Sequence, residues 1–183
     1  SCRLYYKHMT NKTKQYIILL ILFIASFMTI KAQMLHQPHS SSIYSLSDFD
    51  KAVACIKFYE GLHTKKDYPY IGYGHCIQPG EKLNWSLSKK QADALLRSDL
   101  KKLCVIFRRY GADSLLLATL SYNVGCGHIL GNGKYPKSQL LLKIEAGDRK
   151  FHKEYLEFCK YRGKRIASIQ RRRYTELRLL YNM

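Results

Sequence analysis

The stretch SLSKKQADALLRSDLKKLCVIFRRYG, residues 86 to 111, limits the fold more than any other part of the chain. Ser88 followed three residues later by Gln91 makes a capping box, the mark of a helix start. Leu95, Leu96, Leu100, Leu103, Ile106 and Phe107 then recur on one face at helical spacing, and Gly111 supplies the stop. A single amphipathic helix of this length can connect two lobes, and the segments on either side must then supply the apolar surfaces that cover its stripe.

On its N-terminal side, SLSDFDKAVACIKFYEG (45–61) sets Ser47 three residues before Asp50. It carries Phe49, Val53, Ile56 and Tyr59 at helical spacing and closes at Gly61, which predicts a second capped amphipathic helix. A short extended stretch is expected over 68–77, where Gly72 and Gly74 can share one face, followed by the loop QPGEKLNW. On the other side, Asp113 can cap SLLLATLSYNVG, a helix apolar nearly all round and hence central to a second lobe. A helix is expected to start at Pro136 and stop at Gly147. Two further helical segments are expected near 148–160 and 167–181. The pattern is α+β: a small hairpin-bearing lobe and a mostly helical lobe joined by the long helix, with a cleft between them.

The balance of charge narrows the partners. Thirty-one Lys and Arg against thirteen Asp and Glu give +18, which favours an anionic partner such as nucleic acid, acidic lipid or a wall polymer. Residues 9–32 hold Lys12 and Lys14, an apolar run from Tyr16 to Ile30, and Lys31-Ala32, the layout of a secretory signal peptide. The 15-residue run is shorter than the roughly 20 residues that span a bilayer, so export with removal is expected over a signal-anchored form. Met9 is the expected start, with residues 1–8 outside the native product, 33–46 a linker and 47–183 the catalytic domain. Residues 1–32 contain five of the 31 bases and none of the 13 acids, so the exported part stays at +13. Export argues against a nucleic-acid partner. Five cysteines remain beyond the leader, with no CxxC pair, so no metal site is expected. They read as small buried hydrophobes in preference to a disulfide framework.

Glu60 ends the first predicted helix, where the macrodipole is negative and a cation would be the stabilising choice. With Phe58, Tyr59 and Leu62 beside it, its carboxyl is expected to hold a proton it can donate. Asp67, seven residues on, is the candidate for a facing carboxylate, and two carboxylates flanking a glycosidic bond are the minimal equipment for sugar hydrolysis. The plainer readings are a solvated helix-end glutamate and a surface aspartate beside Lys65 and Lys66.

At this point FYEGLHTKKDYPYIGYGHCI (58–77) resembles the catalytic segment of the phage-type lysozymes, the glycoside hydrolase family 24 endolysins. In these a helix ends at Glu-Gly and a hairpin runs to a Thr-Ile-Gly-Tyr-Gly-His strand. The likeness continues in order. QADALLRSDL (91–100) is similar to the start of the family's inter-lobe helix, and LATLSYNVGCG (117–127) to its SFxFNxG helix. KSQLLLKIEAGD (137–148) is similar to its SxLLxxLNxGD segment, and GKRIASIQRRRYTEL (163–177) to its closing GLxxRRxxE stretch.

The resemblance implies a lysozyme-like fold and a peptidoglycan-degrading lysozyme that hydrolyses the β-1,4 bond between N-acetylmuramic acid and N-acetylglucosamine. Glu60 falls on the general acid and Asp67 on the second carboxylate. The hairpin is shorter than the family's usual one, and Tyr70 stands where the family usually has a threonine that helps hold water. His75 and Asn123 are implied to line the cleft, and one of Arg171, Arg172 and Arg173 to pair with Glu60. From the residues alone, His75 reads equally as a packed, hydrogen-bonded histidine, Asn123 as a helix cap, and the arginine run as a solvated face. No cofactor is implied. The expected partners are peptidoglycan glycan strands, with transient membrane association through the leader, and a monomer is expected in the periplasm or outside the cell. Two alternatives stay open: a lytic transglycosylase using Glu60 alone and giving 1,6-anhydro products, and a cationic membrane- or wall-binding protein on an inactive lysozyme scaffold.

Overall fold

The computed structural model describes residues 42–181, together with the isolated Gln15. The expected leader, and the linker before residue 42, lie outside the described residues. The described residues from 42 onward form one compact unit.

Helix α1 spans Asp48–Glu60. Its start is fixed by Ser47, whose Oγ accepts from the Asp50 amide at 3.1 Å, and Asp48 and Asp50 suit the positive end of the dipole. Gly61, at φ 67°, ends it. A 3-10 turn over Lys65–Asp67 leads to β1, Tyr70–Ile71, which pairs antiparallel with β2, His75–Cys76, so that Ile71 faces His75. Gly72 and Gly74 do not share a face of one strand as expected. They flank Tyr73 in the turn between the strands, at φ 58° and 101°, a left-handed conformation that glycine adopts without penalty.

Helix α2, Lys89–Phe107, carries the expected capping box: Gln91 Oε1 accepts from the Ser88 amide at 2.9 Å. Its buried stripe is narrower than the sequence implies. Ala92, Leu96, Leu100 and Phe107 are buried, while Ile106 is exposed because consecutive helical residues point about 100° apart, so it cannot share the side of its neighbour Phe107. The helix then passes into a 3-10 turn, Arg108–Asp113, kinked at Gly111. Helix α3, Ser114–Val124, is buried continuously from Leu116 to Ser121, as its all-round apolarity requires. Asp113 does not cap it with its side chain; that buried carboxylate is ion-paired with Arg149 instead.

Helix α4, Gly127–Leu130, is followed by α5, Gln139–Glu145. The latter starts at the Ser138 cap, not at Pro136, because the Ser138 hydroxyl satisfies the free Leu141 amide at 3.2 Å. The segment expected to be helical over 148–160 is so only in α6, His152–Leu156. A 3-10 turn at Glu157–Cys159 then opens a second antiparallel hairpin, β3 (Lys160–Tyr161) and β4 (Lys164–Arg165), turned by Arg162 and Gly163 at φ 49° and 79°. Helix α7, Ala167–Leu180, closes the described chain.

One apolar core joins these elements. Val53 and Ile56 of α1, Leu96 and Leu100 of α2, Leu116 and Leu120 of α3, Phe151, Tyr155 of α6, and Leu177 and Leu180 of α7 all belong to it. Each such side chain contributes roughly 1.5–3 kcal/mol on burial. The hairpins bury little, so the helices carry the fold. All five cysteines from Cys55 to Cys159 are free thiols, with Cys55 and Cys159 buried and the others half-buried. The architecture is α+β and mostly helical, with α1 and α7 packed together.

Candidate active site

The packing of α1 on α7 brings Glu60 to Arg172. Arg172 Nη1 donates to Glu60 Oε1 at 2.6 Å, and its Nε donates to Glu176 Oε1 at 2.8 Å, one helical turn along α7. Glu176 is wholly buried and also accepts from Arg173 Nη1 and, at 2.8 Å, from the Tyr155 hydroxyl. Two carboxylates thus balance two guanidiniums in a water-poor site, the condition under which buried charges are tolerated. Burial disfavours the Arg172 charge, but Glu176 and Glu60 outweigh it and hold the guanidinium above its ordinary pKa. The choice among the three arginines therefore falls on Arg172.

The arginine run is not a solvated face. Arg171 is exposed, whereas Arg172 and Arg173 are 4% and 0% exposed because they share the inward side of α7 with Glu176.

On its other side Glu60 meets the β1–β2 turn. A Cβ added at Gly74 would lie 3.5 Å from Glu60 Cδ and 3.5 Å from the Tyr122 ring, ordinary packing distances, so the carboxyl sits directly against this turn, and it is the φ of 101° that calls for glycine here. The apolar surroundings expected from Phe58 and Leu62 are absent: Phe58 is 80% exposed, and Leu62 lies on the surface. Tyr59 turns inward instead, with its hydroxyl 2.7 Å from Thr175 Oγ1 and its ring beneath the Arg172 guanidinium.

Gly74 borders an open pocket of about 520 Å³. Tyr70, His75 and Glu81 line it on the hairpin side, and Tyr122 and Asn123 at the end of α3. Three of the expected site residues therefore share one pocket, with Glu60 adjoining it at Gly74.

Tyr70 is 49% exposed, with its ring 6.2 Å from that of His63. Asn123 Oδ1 accepts from Arg173 Nη2, which ties the pocket wall to the buried charge network. His75 is buried and gripped from both sides, Nδ1 at 2.6 Å from Asp99 Oδ2 and Nε2 at 2.8 Å from Glu81 Oε2. Burial opposes its charge, but the hydrogen bonds to Asp99 and Glu81 win and raise its pKa above the ordinary value.

Asp67 has a different neighbourhood. It is exposed in the 3-10 turn, where Oδ2 accepts from the Thr64 amide at 2.7 Å and the Thr64 hydroxyl at 3.0 Å. Those bonds hold its carboxyl below the usual aspartate range. The two candidate carboxylates thus have separate partners, Arg172 for Glu60 and Thr64 for Asp67.

Sequence reasoning missed Glu176, Glu81, Asp99 and Tyr122. Glu176 had a signal, since RRYTE places it on the same helical side as Arg172 and Arg173. The other three are recruited by packing between segments far apart in the chain.

The phage lysozyme family model matches residues 57–176. Among solved structures, the muramidase domain of SpmX from Asticaccaulis excentricus superposes with a TM-score of 0.58. It is 23% identical over 73% of this chain and 96% of that domain, a likeness of fold. No curated protein matches.

Proposed function

Because the chain belongs to the phage lysozyme family, we propose that it degrades peptidoglycan by hydrolysing the β-1,4 bond between N-acetylmuramic acid and N-acetylglucosamine. The observation that carries this reading is Glu60, a half-buried carboxyl at a helix end, hydrogen-bonded to Arg172 and set against the glycine wall of an open pocket. In the proposed reaction Glu60 gives its proton to the leaving glycosidic oxygen as the bond to the anomeric carbon breaks. Water adds to that carbon and loses its proton to Asp67, with Tyr70 helping to position it. His75 and Asn123 shape the pocket that receives the glycan. The protein acts as an exported monomer on glycan strands in the periplasm or outside the cell, delivered by the leader.

One observation favours a second reading. The Asp67 carboxylate already serves Thr64 in the turn, a structural task that leaves Glu60 without a free partner acid. Glu60 alone suffices for a lytic transglycosylase, in which the sugar's own 6-hydroxyl replaces water.

Mass spectrometry of soluble fragments from purified walls separates the two. Glu60→Gln is expected to lower release at least about 100-fold, while the parent yields fragments ending in reducing N-acetylmuramic acid and Asp67→Asn loses orders of magnitude of activity. A fully active Asp67→Asn variant, with 1,6-anhydro ends lighter by one water, establishes transglycosylation. A fully active Glu60→Gln variant removes both readings.

A further inference from the structure

We infer that Tyr122 is a positioning residue, which clamps the turn of the β1–β2 hairpin against Glu60 and so fixes the proposed acid's orientation. This rests on the glycosidase reading of Glu60. Tyr122 stands on the last turn of α3, half-buried, and its hydroxyl donates to the carbonyl of Tyr73 at 3.1 Å. Tyr73 is the buried middle residue of the turn. On either side of it are Gly72 and Gly74, both in left-handed conformations, so this backbone has little intrinsic stiffness and takes its position from what holds it.

Three groups meet at Gly74. A Cβ there would lie 3.5 Å from Glu60 Cγ and Cδ, and 3.5 Å from Tyr122 Cε1. The Glu60 carboxyl thus has a hydrogen-bonded side, Arg172, and a packed side, the Gly74 backbone. The first is set by an ion pair; the second depends on where the turn sits. The Tyr122 hydroxyl is the α3 group that hydrogen-bonds the middle of the turn, whereas the His63 amide holds it at the Gly72 carbonyl at 2.7 Å and Asp99 of α2 holds the following His75. The Tyr122 hydroxyl remains a donor, because burial, then the charges of Asp99 and Glu60, push its pKa well above the ordinary tyrosine value. In the SFxFNxG pattern that LATLSYNVGCG resembles, this position is phenylalanine, so the clamp belongs to the tyrosine of this chain.

Tyr122→Phe tests the inference, since it keeps the ring packed beside Gly74 and removes only the donor. In the full chain, amide hydrogen exchange at Gly74 and His75 is expected to quicken about five- to tenfold, as loss of one hydrogen bond of ordinary net strength allows. On soluble glycan fragments kcat is expected to fall about tenfold with KM within about twofold, and the limb of the kcat–pH profile that reports Glu60 to shift. Ser114→Ala is the matched control. It deletes a tertiary hydrogen bond at the other end of the same helix, Ser114 Oγ to the Cys104 carbonyl at 3.2 Å, and is expected to move neither readout. Unchanged exchange at Gly74 and His75 overturns the clamp. Faster exchange with kcat, KM and pH profile equal to those of Ser114→Ala overturns the positioning role. If Glu60→Gln keeps parental activity, the glycosidase reading and the catalytic half of this inference fall together, while the exchange result still decides the clamp.

Discussion

Glu176 does not line the pocket beside Gly74, yet it takes hydrogen bonds from Arg172, Arg173 and Tyr155 while wholly buried. Removing it leaves two guanidiniums facing each other in the core. Glu176→Ala is therefore expected to destabilise the protein by about 3–5 kcal/mol, read from the shift of a urea midpoint, whereas the exposed Arg171→Ala should stay within about 0.5 kcal/mol. At this scale the sequence was legible where chemistry is local. Glu60 could be singled out because a glutamate opposes the dipole at a helix end. Arg172 could not, because three consecutive arginines point to every side of a helix and only packing against α1 selects one. Phe58 misled for the same reason: adjacency in the chain placed it beside Glu60, and helical rotation carried it to the surface.

Between elements, the notable joint is His75, which ties β2 to α2 through Asp99 and to the loop after β2 through Glu81; Lys102 of α2 also reaches Asp99 at 3.3 Å. The folded pKa of His75 is raised above 6.5, so its contribution to stability is fully present below pH 6.5 and is lost as pH rises through the folded value. Glu81 runs the other way. The Gln78 amide and then His75 lower its pKa below 4.5, so its share is present above pH 4.5 and is lost as pH falls through the folded value. Melting temperatures of the parent and His75→Gln, compared from pH 4 to 9, should differ most near pH 5 to 6 and converge on the alkaline side. A constant difference would mean that the imidazolium has no part in the joint.

Elements that announce themselves by capping and apolar period were readable in advance, α1 and α2 above all. The second hairpin was not. KYRGKR has no apolar alternation, and all four strand residues are exposed, so nothing in the pattern separates it from a polar helix end.

For the molecule as a whole, the dominant fact remains its charge of +18, which composition alone cannot place on the surface or in the core. The structure spends part of it internally: Arg172 and Arg173 are committed to Glu60 and Glu176, and Lys57 and Arg97 to Asp93. The exposed remainder, including Lys101, Arg108, Arg162, Lys164 and Arg171, can act on an anionic polymer through solvent. Lysis of walls is accordingly expected to slow strongly between about 0.1 M and 1 M salt, as the Debye length drops from about 10 Å to about 3 Å. Cleavage of a short uncharged glycan should change far less; equal salt dependence for both would place the effect in the catalytic step and not in capture. Glu60 and Arg172 lie 112 positions apart, on α1 and α7. A ribosome therefore releases the carboxylate long before it makes the cation that orients it, and every nascent or prematurely terminated chain ending before α7 carries a half-built site. Activity on this reading is acquired only once α7 has been made and packed on α1, a built-in delay that needs no inhibitor.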